Sequence, residues 1–194
     1  MKKITLLFLT FTCFSLLFII LKAAKNLTHF IWAMFNIVVV SWGISCLFMS
    51  KEVPFGRALL WLKIGHIGVT FIAVFFFHLV YLICRLSCKK LLVFAYLQGI
   101  FFSALLLTNY FISKENVNIL FNQFYYDKAH GWIYPAYFSI WMAFILYGHF
   151  ELFRTYLRSK DHQRNQILYF FVGMLTGFSG GLTNFFPVFG IKFY

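Results

Sequence analysis

The sequence predicts an all-α membrane protein, a bundle of six transmembrane helices with its N-terminus outside. Three observations predict it: a composition unsuited to water, six apolar blocks of membrane-spanning length, and an uneven placement of Lys and Arg between them. Hydrophobic residues make up 62% of the 194 residues, charged residues 11%, and the mean hydropathy is +0.81. A water-soluble domain of this size needs far more polar surface. The 29 phenylalanines suit lipid-facing and helix-packing surfaces better than a compact aqueous core.

A helix crosses the hydrocarbon with roughly 20 mostly apolar residues. The blocks fall at about 4–21, 28–49, 58–84, 91–112, 134–157 and 167–189. They form one transmembrane domain, 1–194, with no soluble domain left over. The first block begins with Lys2 and Lys3, like the basic start of a signal peptide. It is closed by Lys22 and Lys25 rather than by small residues at a cleavage site, so a retained helix is expected. Every connection is short except 113–133, whose Phe121, Phe124, Tyr125, Tyr126 and Trp132 predict a segment lying along the interface.

The net charge of +12 invites a nucleic-acid reading, but the cations sit in short runs between apolar blocks, the pattern of loops anchored at an anionic leaflet. No nucleic-acid partner is expected, because groove reading needs charge gathered on one soluble face. Loops after the first, third and fifth blocks carry nine cations, namely Lys22, Lys25, Arg85, Lys89, Lys90, Arg154, Arg158, Lys160 and Arg164. Loops after the second and fourth carry four, Lys51, Arg57, Lys114 and Lys128, beside Glu52, Glu115 and Asp127. The first set is expected in the cytoplasm, which puts the N-terminus outside against the local pull of Lys2 and Lys3. Six crossings from an outside start leave the C-terminus outside, and the chain stops at Tyr194 without a polar tail, which predicts a fragment or a truncated product.

The last block, RNQILYFFVGMLTGFSGGLTNFFPVFGIKFY, spaces Gly173, Gly177 and Gly181 four apart on one drifting helix face. Small residues at that spacing predict close helix packing; the second reading is a ligand groove floored by the glycines. Pro187 is expected to end or kink this helix. Asn184, just before it, is a polar group that needs a partner if it lies in the bilayer.

This block resembles the end of the N-terminal seven-transmembrane input region of bacterial sensor histidine kinases. The resemblance rests on Arg164, Gln166, Ile167 and Tyr169, then Gly173 and Gly177, then Gly180, Gly181, Thr183, Asn184, Phe185 and Pro187, and finally Gly190 and Ile191. It extends upstream through Asn26, Phe30 and Trp42, through Trp61, Ile64, Gly65 and His78, and through YYDKAHGWIYPAYF with Lys128, Ala129, His130 and Gly131. Such a resemblance implies a receptor-like sensor domain of a two-component system in the bacterial inner membrane. In that family a seventh helix leads to cytoplasmic signalling domains; here the chain ends after the sixth. His162, in the polar context His162-Gln163-Arg164-Asn165, does not fit the family's phosphoacceptor pattern, and no Gly-rich nucleotide loop is present. The chain itself is therefore not expected to be an enzyme.

Polar groups inside the spans are the remaining candidates. Lys63 and His66, three apart in the third block, would meet an anionic ligand head together, or Lys63 would simply reach the interface. Lys63, His66 and Asn184 are thus the ligand-binding candidates, and Gly173, Gly177 and Gly181 the helix-packing ones. His149 and Glu151 approach the end of the fifth block, where a pair with Arg154 or Arg158 is expected. Asn36, Gln98 and Asn109 read as hydrogen-bonding groups between helices.

The only acids are Glu52, Glu115, Asp127, Glu151 and Asp161, divided between the two faces by the topology above, so paired-carboxylate chemistry is not expected. Cys84 and Cys88 share a helix face if the helix runs that far, but no nearby His or Cys completes a four-ligand set, and no metal or cofactor is expected. The expected partners are the lipid bilayer, a second copy of the chain, and a cytoplasmic signalling domain, missing from this chain or separate from it. Two other functions remain open on sequence: a small transporter, which repeated halves and broken helices would favour, and a structural membrane subunit docking a foreign helix.

Overall fold

The computed structural model describes residues 11, 14, 15, 18, 22, 26–50, 53–120 and 122–191. The expected first span at 4–21 therefore lies almost wholly outside the described residues; Phe11, Phe14, Ser15, Phe18 and Lys22 are helical. Five described helices are long and apolar enough to cross a membrane. The long helices are α1 (Leu27–Phe48), α2 (Phe55–Ile83), α3 (Lys89–Leu106), α4 (Ile133–Arg158) and α5 (Asp161–Leu182), followed by a short α6 (Phe185–Val188).

Helix α2 is the hub. It packs against α1, α3 and α4 and touches the connection between α3 and α4, while α5 rests on α4. At 29 residues it reaches about 43 Å, longer than the roughly 30 Å hydrocarbon, so it projects or tilts. Its Gly68 lets α1 come close: a Cβ there would stand 2.9 Å from the Val38 carbonyl oxygen. Gly148 of α4 does the same for the Phe76 ring of α2, at 2.6 Å. Phe76 in turn stacks its edge against Phe178 of α5, with ring centroids 4.8 Å apart.

The start of α1 is capped by Asn26, whose Oδ1 accepts from the His29 amide at 3.0 Å. This supplies a partner for one of the free amides of a helix N-terminus. The turns between α2 and α3 and between α4 and α5 share one end of the bundle, where the Cys84 thiol contacts the Glu151 carbonyl at 3.7 Å. That end gathers Arg85, Lys89, Lys90, Arg154, Arg158 and Lys160. Arg154 pairs with Glu151 at 3.6 Å, as expected of an interfacial acid.

The structure corrects three sequence expectations. The fourth span was expected at 91–112 but the helix is Lys89–Leu106, because Thr108 Oγ1 bonds the Leu105 carbonyl at 2.6 Å and the chain turns away. The sixth, expected at 167–189, begins at Asp161 and breaks after Leu182; Pro187 lies inside α6, one turn beyond the break. A proline ring presses on the carbonyl four residues before it, here Thr183, so the interruption falls ahead of the proline. Finally, the fold is not purely helical. The 113–133 connection holds an antiparallel hairpin, β1 (Val117–Leu120) and β2 (Phe124–Asp127), pairing Val117 with Asp127 and Leu120 with Phe124. β-Branched and aromatic side chains favour strands, and Asn122 takes the left-handed conformation in the turn, with φ of 54°.

This hairpin is strapped across the end of the bundle opposite the cationic turns. The Tyr125 amide donates to the Met49 carbonyl at 2.8 Å, and the Ala129 amide to the Val188 carbonyl at 2.9 Å. The first ties β2 to the end of α1, the second ties the hairpin's exit to α6.

Candidate functional site

Helices α1 and α5 flank α2 without packing closely on each other, and between them lies a cleft of about 1380 Å³. At the end away from the hairpin, the rings of Trp32 and Phe170 bridge α1 and α5 at 5.3 Å. At the other end β2 lies over it, with Phe124, Tyr125, Tyr126 and Asp127 all on its wall. The floor is α2 and α4, through Leu62, His66, Val69, Tyr134 and Trp141. The cleft is apolar and aromatic over most of its surface, the usual character of a small-molecule site.

One polar cluster interrupts that lining. His66 Nδ1 lies 3.0 Å from the Leu62 carbonyl, which can only accept, so this nitrogen carries a hydrogen. His66 Nε2 lies 3.3 Å from Asp127 Oδ1 and 3.3 Å from the Tyr134 hydroxyl. A proton is needed between Nε2 and the acceptors around it, supplied by an imidazolium, a carboxyl or the Tyr134 hydroxyl. Asp127 is 2% exposed, and among the described residues its buried Oδ2 has no hydrogen-bond partner. One turn along α2, Thr70 Oγ1 donates to the His66 carbonyl at 2.8 Å and accepts from the Tyr137 hydroxyl at 3.3 Å. Beneath, the Trp141 indole donates to the Val69 carbonyl at 2.9 Å.

The structure separates the expected pair of Lys63 and His66. Lys63 Nζ reaches the Thr108 carbonyl at the end of α3, at 3.2 Å, while His66 turns to Asp127. An anionic head held by both is therefore not what this geometry offers. Asn184 lies on the cleft, its amide donating to the Gly181 carbonyl at 3.0 Å.

Gly173, Gly177 and Gly181 face the cleft, and among the described residues a Cβ on any of them would meet nothing within 4 Å. Among the described residues, the glycines with close neighbours are Gly65, Gly68, Gly99 and Gly148. Asn36 and Gln98 bond carbonyls of their own helices, Trp32 at 2.8 Å and Ala95 at 2.9 Å, rather than neighbouring helices. Asp127 and Tyr134 were missed as site residues because they meet His66 only through the tertiary fold. The signal available was Asp127 itself, a lone acid in the aromatic run FNQFYYD.

Five described helices long and apolar enough to cross a membrane, arranged around an aromatic cleft, define a multi-pass membrane protein in contact with the bilayer. The chain belongs to the family described as the N-terminal 7TM region of histidine kinase, whose model matches residues 5–194. This family is the sensory region of such kinases and not a catalytic domain. No curated protein and no solved structure matches the chain.

Proposed function

We propose that the chain is the signal-input domain of a bacterial inner-membrane sensor, that the cleft under the hairpin is its sensing site, and that its output is a cytoplasmic histidine kinase. The observation that carries this reading is the open, aromatic cleft walled on one side by the glycine face of α5. Family membership supports the output class.

In this reading the chain crosses the bilayer six times from an outside N-terminus. The cationic turns beside Arg85 and Arg158 lie in the cytoplasm, and the hairpin and cleft mouth lie outside. The clustering of cations at the end opposite the hairpin supports that orientation. A second copy of the chain and a cytoplasmic signalling domain are the protein partners it calls for.

Helix α5 is the element suited to move. Its buried side chains are Ile167 and Phe178, whereas α2 is buried over much of its length. A ligand seated against α5 would favour one of two packings of this helix on α4, and differential affinity for the two is what shifts their populations.

The test is to join the chain through a membrane-spanning helix to a histidine kinase core and measure autophosphorylation in membranes. Gly177→Leu places a side chain into the cleft, and the reading expects output locked high or low. Output identical to the wild type, with the same response to added ligands, overturns it.

A further inference from the structure

The charge that the cleft presents to an occupant narrows what it takes, on the reading that this cleft is the sensing site. We propose that it binds an amphipathic small molecule whose anionic head is held beside the hairpin by Lys128, while its apolar body lies along the glycine face of α5.

The first observation is which charges are free. Among the described residues lining the cleft, the acidic and basic side chains are those of His66, Asp127 and Lys128. Two of these are spent on each other. His66 Nε2 and Asp127 Oδ1 lie 3.3 Å apart, and Asp127 Oδ2 is buried, with the whole side chain only 3% exposed. His66 Nδ1 is on the Leu62 carbonyl, and its Nε2 also touches the Tyr134 hydroxyl. The carboxyl is thus closed to an occupant, and the imidazole is engaged at both nitrogens. Lys128 differs: it is exposed, and among the described residues its side chain has no ion pair or hydrogen bond. An ammonium donates three hydrogen bonds and accepts none, so the head complementary to this cleft is negative.

The second observation is where Lys128 stands. Its amide donates to the Asn116 carbonyl at 2.9 Å, and the next amide, of Ala129, donates to Val188 of α6 at 2.9 Å. Lys128 is thereby fixed at the corner between β1 and α6. The cleft's side-chain amides come from the same two elements: Asn118 lies in β1, and Asn184 directly precedes α6. Each commits one N–H, to the Asn116 and Gly181 carbonyls, and keeps a second to donate. Donors collect at this end, whereas the wall over Gly173 and Gly177 is open and continues into Trp141 and Phe178. An alkyl or ring body seated on that wall leaves water, with its head at the hairpin.

The test uses the full chain in phosphatidylcholine nanodiscs and two radiolabelled probes that differ only in the head, dodecanol and dodecyl phosphate. Uptake by empty discs is subtracted. The expected result is saturable binding of dodecyl phosphate, weakened at least about tenfold by Lys128→Gln, the size of one hydrogen bond between charged groups. Dodecanol should bind Lys128→Gln as it binds the wild type. Lys128→Arg, which keeps the charge, should keep the affinity for the phosphate. The exposed, unbonded side chain makes both variants compatible with folding. Gly177→Leu, placed in open space, should weaken both probes.

No saturable binding of dodecyl phosphate by the wild type overturns the anionic-head inference. So does a Lys128→Gln variant that binds the phosphate as tightly as the wild type or weakens both probes alike, and so does Lys128→Arg losing as much as Lys128→Gln. In those cases a Gly177→Leu variant that still weakens dodecanol leaves the cleft reading standing. Binding of both probes unaffected by Gly177→Leu overturns the cleft reading itself.

Discussion

The Trp141 indole N–H donates to the Val69 carbonyl at 2.9 Å, joining α4 to α2 under the cleft. The Val69 oxygen lies within a helix, so this bond adds a second donor to a carbonyl that the α2 ladder already uses. It fixes the ring that packs against Phe185 and Phe178, with centroids at 5.2 and 5.9 Å.

Trp141→Phe should remove that bond and part of the packing. Interhelical hydrogen bonds in membrane proteins contribute roughly 0.6–1.7 kcal/mol, so the midpoint of thermal unfolding in detergent should fall by a few degrees. An unchanged midpoint would show that the bond contributes nothing to holding α4 on α2.

The glycines divide into two classes that mutation should separate. At Gly148 a Cβ would stand 2.6 Å from the Phe76 ring, and at Gly177 it would meet nothing within 4 Å among the described residues. Gly148→Val should therefore cost about 1–3 kcal/mol of stability from overpacking. Gly177→Ala should leave the unfolding midpoint where it is or raise it slightly, as alanine favours a helix over glycine. Equal sensitivity at the two positions would contradict the packing described for α2 and α4.

His66 and Asp127 should behave as one unit. Removing one member of a buried pair leaves the other unpaired, at a cost of about 3–5 kcal/mol. His66→Ala should thus loosen the hairpin, seen as faster proteolysis near Asn122. The double variant His66→Ala with Asp127→Asn should be less destabilised than the sum of the two single changes, since their coupling is lost only once. Additive effects would mean that the 3.3 Å approach carries no energy.

The long apolar helices were legible in the sequence because lipid demands their length and hydropathy and little else: α1, α2 and α4 fall within three residues of the expected bounds. The hairpin was not read, although Val117, Ile119 and the aromatic run through Tyr126 favour strands. Aromatic residues beside a membrane span equally suggest an interfacial segment, and only the pairing with Met49 and Val188 decides between them. Lys63 and His66 drew notice as polar groups in a span, but their spacing along α2 says nothing of what lies opposite. Asp127 reaches His66 because the hairpin is tied at both ends. Gly173, Gly177 and Gly181 were recognisable as one face, and only the position of α1 shows that this face borders a cavity.

The account depends on which side of the membrane the hairpin occupies, and site-directed labelling measures that directly. In a background with the native cysteines replaced, Asn122→Cys in the hairpin turn and Arg158→Cys at the end of α4 should be exposed to a membrane-impermeant maleimide in intact spheroplasts. The account predicts labelling at position 122 and none at 158 until the membrane is permeabilised. Labelling at 158 and protection at 122 would place the cleft on the cytoplasmic side and contradict an outward-facing sensor.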